Sequence, residues 1–322
     1  MKEVTVSVIC NTFNQVDYIR DALYGFVKQK TNFNFEVLIH DDASTDGTQD
    51  IIKEYEIKYP KIIKPIYETE NQNSKGVKIS LELQYPRVKG EYVAFCEGDD
   101  YWIDPYKLQK QYDALESHPD IDMCSHKSAV VDAETNKVIK ITAPLEKEGI
   151  IPCSSLIYSR GERVIDSASV FFRRDLIDDI PEFRKILTLD YTLRIQGALR
   201  GGIYYLNDCM SVYRWHAAGS WTKANGSNAL FWHKLDEQKI IALESLDKDT
   251  GHKFHKAVSN EIICIEANEI YSYGNCRLLL NNRYKKEFQK HDISWKMKAI
   301  LKMIMPFINR KRKTQPALSS HK

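Results

Sequence analysis

The sequence predicts an α/β protein: a mostly parallel sheet with helices on both faces, followed by a helical extension. Three observations predict it. Strand and helix signals alternate through the first 116 residues, the rhythm of an open parallel sheet. The strand candidates are short apolar runs, and three of them end in polar clusters. Beyond about residue 225 the pattern becomes helical, with no glycine between Gly251 and Gly274.

Residues 4–10 read as a buried strand. Between Asp17 and Lys28, the side chains of Ile19, Ala22, Leu23 and Phe26 fall on one helical stripe. Residues 35–40 form a second strand. Ser44-Thr45-Asp46-Gly47-Thr48 then supplies turn and capping residues for a helix carrying Ile51, Ile52 and Tyr55. Residues 62–67 are a third strand, 76–88 a helix, and 92–96 a fourth strand. Pro105 opens a further helix bearing Leu108, Tyr112 and Leu115, because proline suits a first helical turn. From about 120 to 220 strands mix with loops. Val170-Phe171-Phe172 and Ile203-Tyr204-Tyr205-Leu206 read as strands, and 192–199 as a helix ended by Gly201-Gly202.

A chain of 322 residues with 43% hydrophobic content fits one large domain or two ordinary ones. The expected division is 1–224, 225–291 and 292–322. The net charge of +2 argues against a nucleic-acid footprint over the whole protein. It hides an asymmetry: eight Lys or Arg and no acidic residue follow Asp292, which leaves 38 basic and 44 acidic side chains before it. The seven cysteines are odd in number and form no CxxC pair, so free thiols in a reducing compartment are expected. The N-terminus lacks the apolar core of a signal peptide, and no run approaches the ~20 apolar residues of a spanning helix. The expected location is cytoplasmic, peripheral on the inner face of the plasma membrane. Asn225-Gly226-Ser227 matches a glycosylation sequon by chance in such a chain.

The apolar run Tyr92-Val93-Ala94-Phe95-Cys96 leads straight into Glu97-Gly98-Asp99-Asp100. Adjacent carboxylates repel unless a cation or strong donors sit between them. Hard cations such as Mg²⁺ and Mn²⁺ take oxygen ligands and bridge to phosphates. An acidic turn in isolation is usually just solvated. Here two other strands end in Asn11-Thr12-Phe13-Asn14 and Asp41-Asp42-Ala43-Ser44. In open α/β sheets ligands bind beyond the carboxyl ends of the strands, so all three clusters converge on one edge.

Three segments carry a resemblance to a known family. Val6-Ser7-Val8-Ile9-Cys10-Asn11-Thr12-Phe13-Asn14 resembles the opening strand of family 2 glycosyltransferases. The run from Val37 through Asp41-Asp42 to Thr48 resembles their second strand and turn, and Gly90 through Asp100 their DXD region. The match is good over about 4–118 and loose over 119–220. It implies a GT-A fold and an inverting transfer from a nucleotide-diphosphate sugar, most often UDP-linked. By similarity, Asp42 accepts a hydrogen bond from the base, while Asn11, Thr12 and Asn14 line the nucleotide pocket. Asn73 and Lys75 lie near the base and diphosphate. Asp99 contacts the ribose or the metal, Asp100 ligates Mn²⁺ or Mg²⁺, and Glu97 stands behind them.

An inverting transfer needs a base for the acceptor hydroxyl. Asp190 in Thr188-Leu189-Asp190-Tyr191 occupies the family's place for it, although Leu189 stands where Glu is common. The alternative is an ordinary N-cap aspartate. Asp178, Asp179 and Glu182 are less well placed. Tyr213-Arg214-Trp215-His216 through Trp221 resembles the segment that closes the family's domain. There His216 completes the metal site or simply packs, Arg214 binds phosphate or pairs with a carboxylate, and Trp215 and Trp221 stack on a sugar or pack.

At the C-terminus, Ile293, Met297, Ile300, Leu301, Ile304, Met305 and Ile308 recur at helical spacing. Lys296, Lys298 and Lys302 flank them, Pro306 interrupts, and Arg310-Lys311-Arg312-Lys313 follows. Such a helix reads as an in-plane membrane anchor. The alternative is a helix that packs its stripe on the protein. A membrane surface agrees with the lipid-linked oligosaccharide acceptor that the resemblance implies. A nucleotidyltransferase is disfavoured because no glycine-rich phosphate loop follows the first strand. A non-catalytic nucleotide-sugar-binding or scaffold protein is the remaining alternative. Nucleic acid is not an expected partner, because the basic tail lacks interleaved aromatics. The helices at 228–290 leave room for an oligomer.

Overall fold

The computed structural model describes residues 3–159, 164–220, 226, 228–273 and 275–304. It divides into two compact units, Met1–Ala229 and Leu230–Lys322.

The first unit is built on a ten-stranded sheet. Its strands are β1 (Val4–Thr12), β2 (Asn34–Asp41), β3 (Ile63–Tyr67), β4 (Tyr92–Phe95), β5 (Tyr101–Trp102), β6 (Met123–Asp132), β7 (Val138–Thr142), β8 (Gly149–Ile151), β9 (Phe171–Arg173) and β10 (Ile203–Trp215). The main path runs β3-β2-β1-β4-β9-β6-β10-β5, with β7 on β6 and β8 on β10. Strands β3, β2, β1 and β4 are mutually parallel, β9 is antiparallel to both β4 and β6, and β10 is parallel to β6. Helices α1 (Ile19–Val27), α2 (Thr48–Lys58) and α3 (Lys107–Glu116) fall between the early strands. The short helices α4 (Cys153–Ile157), α5 (Asp175–Asp178) and α6 (Glu182–Ile186) lead to α7 (Asp190–Ala198). This is the α/β class expected from the alternating pattern.

Burial explains the early elements. The side chains of Ile19, Ala22, Leu23 and Phe26 on α1 join Val6, Val8, Val37, Ile39 and Trp102 in one apolar core. Phe26 meets Trp102 edge-on, with centroids 4.9 Å apart.

Three local expectations change. Residues 76–88 do not form one regular helix. Ile79–Gln84 is a wide π-turn and Tyr85–Arg87 a tight 3₁₀ turn. The reason is tertiary: Gln84 and Arg87 reach backbone carbonyls of Leu38 and Ile39 on β2. The strand at Ile203 runs on for 13 residues to Trp215, so much of the closing segment is sheet. The helix after Pro105 begins at Lys107, behind Asp104, whose carboxylate accepts the N–H of Tyr106 at 2.7 Å. All seven cysteines are free.

The second unit is helical: α8 (Ala229–Asp249), α9 (His255–Tyr273), α10 (Lys285–Lys290) and α11 (Ile293–Ile304). Gly251 and His252 both adopt left-handed backbone, φ 58° and 64°, between α8 and α9. Asp247 Oδ2 binds His252 Nδ1 at 2.9 Å and His255 Nδ1 at 2.7 Å. On α11 the expected stripe is not the packed face. Ala299 and Met303 are buried with Ala267, Cys276 and Leu279, and Ile293, Met297, Ile300, Leu301 and Ile304 are exposed. Among the described residues no helix is long and apolar enough to cross a membrane. The sequon residues Asn225 and Ser227, together with Trp221, Met305, Pro306, Ile308 and Arg310-Lys311-Arg312-Lys313, lie outside the described residues.

Candidate active site

Because β2, β1 and β4 are parallel neighbours, their carboxyl ends share one edge. Thr12 stands opposite Asp41, and beyond β4 the chain continues along β1 through Cys96 N–H to Ile9 O and Gly98 N–H to Asn11 O, at 3.1 and 3.0 Å. Asn14 and Ala43 leave the strand ends in left-handed backbone, φ 50° and 65°, a conformation that non-glycine residues adopt at a cost. They are tied together: Asn14 N–H donates to Ser44 Oγ at 2.8 Å, and Thr45 N–H donates to Asn14 Oδ1 at 2.9 Å. Thr12 Oγ1 donates to Gln15 Oε1 at 2.8 Å. A Cβ on Gly98 would lie 2.5 Å from that same Gln15 oxygen, so only glycine lets the acidic turn lie this close to β1.

Asp42 is buried, and the loop at residues 71–75 folds onto it. Its Oδ1 accepts the N–H of Gln72 at 2.6 Å and its Oδ2 that of Asn73 at 3.1 Å. Asn71 Nδ2 donates to the Asp42 carbonyl at 3.1 Å. The structure thus brings Asn73 to Asp42, whereas the Lys75 ammonium pairs with Glu70 on the exposed side.

The acidic turn is the electrostatic centre. Glu97 accepts the backbone N–H of Asn11 at 3.1 Å. Burial, then the charges of Asp190 and Asp99, push its carboxyl up to about 8. Glu97 is partly buried and closely surrounded by protein, and that burial is the largest cause of the shift. Asp99 and Asp100 are buried. Asp100 Oδ1 accepts the backbone N–H of Arg214, and the Asp99 carbonyl accepts Arg214 Nη1, both at 2.9 Å. The guanidinium also pairs with Asp21 and lies 4.3 Å from the Tyr101 ring centroid. Of its two expected roles, Arg214 takes the carboxylate.

Asp190 is the first residue of α7, and the N-cap is Leu189. It is therefore not the capping aspartate. Its carboxylate is about half exposed, accepts the Ser167 hydroxyl and stands 4.0 Å from Arg194. Its charge is one of the causes that raise the Glu97 carboxyl. Asp178 and Glu182 pair instead with Arg174 and Lys185.

His216 leaves β10 at φ 64°, exposed, with its ring 4.8 Å from that of Trp215. Among the described residues, the set of three ligand atoms within 4.8 Å is Asp247, His252 and His255 in the second unit. Asp99, Asp100 and His216 are not drawn into such a set.

Sequence reasoning missed Gln84, Ser80, Tyr85 and Arg184. Buried Gln84 donates to Asn11 Oδ1 at 3.2 Å, and Asn11 Nδ2 donates to Ser80 Oγ at 3.1 Å. Buried Arg184 donates to the Tyr85 hydroxyl at 3.1 Å, beside the charges of Asp190 and Glu97. A polar residue inside a weak helical pattern was the sole signal for Gln84.

A mostly parallel sheet whose carboxyl edge gathers Asp42 and the Glu97–Asp100 turn has the fold of a GT-A-type glycosyltransferase. Residues 7–180 match the Glycosyl transferase family 2 domain, and the chain belongs to that family. It is 36% identical over 267 residues to the uncharacterized protein Rv1520 of Mycobacterium tuberculosis, covering 82% of this chain and 75% of the relative. It is 34% identical over 115 residues to WfaP of Escherichia coli, a UDP-Glc:alpha-D-GlcNAc-diphosphoundecaprenol beta-1,3-glucosyltransferase, covering 35% and 41%. The fold resembles S. aureus TarS 1-349 in complex with UDP-GlcNAc, with TM-score 0.59, 18% identity and coverage of 94% and 81%.

Proposed function

We propose that this glycosyltransferase is inverting and metal-dependent, moving a sugar from a UDP-sugar to a hydroxyl of a lipid-linked glycan. The carrying observation is that Arg214 holds Asp99 and Asp100 at the strand-end edge where Asp42 accepts the N–H groups of Gln72 and Asn73. This supports a metal and diphosphate site at that edge, with Asp190 read as the base. Carboxylates packed this closely invite a cation, and an all-oxygen donor set suits Mn²⁺ or Mg²⁺. Asp99 and Asp100 would hold it, with His216 joining only if its ring leaves Trp215. When bound, the cation offsets the charge gathering on the departing nucleoside diphosphate.

The remaining work falls to the chain itself. Each Asp42 oxygen holds one backbone donor and retains a lone pair for the ring N–H of uracil. Asn11 and Thr12 line the pocket from β1, Asn14 from the turn that follows it, and Asn73 from the loop that folds over Asp42; Lys75 would join them on leaving Glu70. Asp190 takes the proton of the acceptor hydroxyl, with Ser167 holding the carboxylate in place. The name of WfaP specifies a diphosphoundecaprenol-linked acceptor, which supports an acceptor of that class here.

Calorimetric titration with UDP, with Mn²⁺ and then with EDTA, tests the proposal. Manganese-dependent binding is expected, followed by transfer from a UDP-sugar. Binding of GDP or TDP alone would change the donor. No binding of any nucleoside diphosphate would leave a non-catalytic protein.

A further inference from the structure

We propose that α11 is a membrane-docking surface whose outward apolar face inserts, in plane, into an anionic lipid leaflet. This goes beyond the transfer reaction and does not rest on it.

The helix is anchored by the less apolar of its two faces. Ala299 and Met303 are buried against Ala267, Cys276 and Leu279. Trp295 stacks on Tyr271 and His291, at 4.5 and 3.8 Å between centroids. Lys302 Nζ donates to the Tyr271 carbonyl at 2.8 Å. The other face points away. Ile293 is 78% exposed, Met297 55%, Ile300 39%, Leu301 49% and Ile304 67%. At 3.6 residues per turn these five cover an arc of about 100°. A globular helix turns such a stripe inward. Here the inward places are already filled, so the stripe lacks an internal partner surface among the described residues.

Charge selects the occupant. On the same helical wheel Lys296 and Lys298 fall on the two margins of the stripe. Asp292 is the last acidic residue of the chain, and eight Lys or Arg follow it. A second copy of this helix would set lysine against lysine with no carboxylate to answer. Anionic headgroups answer both rows, and each basic residue near such a surface is attracted to it. The lysine stems lie along the apolar face while their ammonium groups reach the headgroups. The five apolar side chains then enter the acyl boundary, as in interfacial helices.

Sedimentation of the full chain with vesicles tests this. Binding is expected to phosphatidylglycerol–phosphatidylcholine vesicles, weakened by salt, and to be lower with phosphatidylcholine alone. The combined variant Ile293→Ser, Met297→Ser and Leu301→Ser should lose at least about tenfold of that binding. Its thermal midpoint and its UDP titration should not move, because these side chains touch no core. The variant Lys296→Gln with Lys298→Gln should keep residual binding and lose salt dependence. Absence of vesicle binding by the wild type overturns the proposal, as does equal binding by the serine variant. A wild-type dimer that the serine variant dissolves, without vesicle binding by either, assigns the face to a second copy instead.

Discussion

The backbone N–H of Arg214 donates to Oδ1 of Asp100 at 2.9 Å. The same residue reaches the Asp99 carbonyl with its guanidinium, so the end of β10 holds Asp99 and Asp100. A guanidinium whose fork is engaged in this way holds the turn; it is not itself offered to a phosphate.

Replacing that guanidinium should therefore act through the turn. Arg214→Met is expected to lower stability by about 1–3 kcal/mol, the usual cost of lost charged hydrogen bonds, measured by urea denaturation. Manganese-dependent UDP binding should weaken with it. Undiminished UDP binding in a folded Arg214→Met protein would show that the turn holds itself.

Asp190 offers a cleaner separation of chemistry from folding. Its carboxylate caps no helix and is half exposed, so Asp190→Asn should leave the thermal midpoint and UDP affinity unchanged. Turnover should fall about 10²–10⁴-fold, the usual contribution of a general base. Retained turnover would move the base elsewhere.

Glu97 makes the metal-free protein sensitive to pH. Its carboxyl is raised from 4.5 to about 8 in the fold, first by burial and then by Asp190 and Asp99. The unfolded chain thus releases this proton at lower pH than the folded one. Its stabilising effect is complete below 4.5 and is lost as pH rises toward 8. In EDTA, wild type should lose stability between pH 5 and pH 8 relative to Glu97→Gln, read by denaturant midpoints. A cation held by the neighbouring aspartates should shrink that loss. Parallel profiles for the two proteins without metal would remove Glu97 from the coupled group.

Lys107 has the opposite sign. It is fully buried, donates to Gln111 Oε1 at 2.6 Å and lies 4.1 Å from the Trp102 ring centroid. Burial lowers its ammonium from 10.5 to about 7. The unfolded chain stays protonated across that interval, so stability falls as pH drops from 10.5 toward 7. Lys107→Met should stabilise the protein at pH 7 by about 1–3 kcal/mol, and the gain should shrink by pH 10. A gain independent of pH would trace the effect to packing alone.

Parts of this architecture are legible in the residues. Strands β1 to β4 and helices α1 to α3 follow from local apolar periodicity, because each buries one face in the same core. The convergence of Asn11, Asp42 and Asp99 follows as well, since parallel strands end at one edge. What local pattern does not carry is the company these residues keep. The turn at residues 79–84 is shaped by Gln84 binding carbonyls of Cys10 and Leu38, far away in the chain. Strand β9, Phe171-Phe172-Arg173, enters antiparallel between β4 and β6, a neighbour order that three residues do not encode.

By itself, then, the sequence determined the fold class and the carboxylates of the strand-end edge, because alternation, turn chemistry and strand ends are short-range properties. Only the tertiary structure decided what each polar group does there. It set Arg214 on Asp99 and Asp100, left His216 on Trp215, paired Asp190 with Ser167, and turned the apolar stripe of α11 outward. Those outcomes depend on which partner sits opposite once the sheet has ordered its strands. Pairing across such distances is settled by competing burial and hydrogen bonding in three dimensions, not by spacing along the chain.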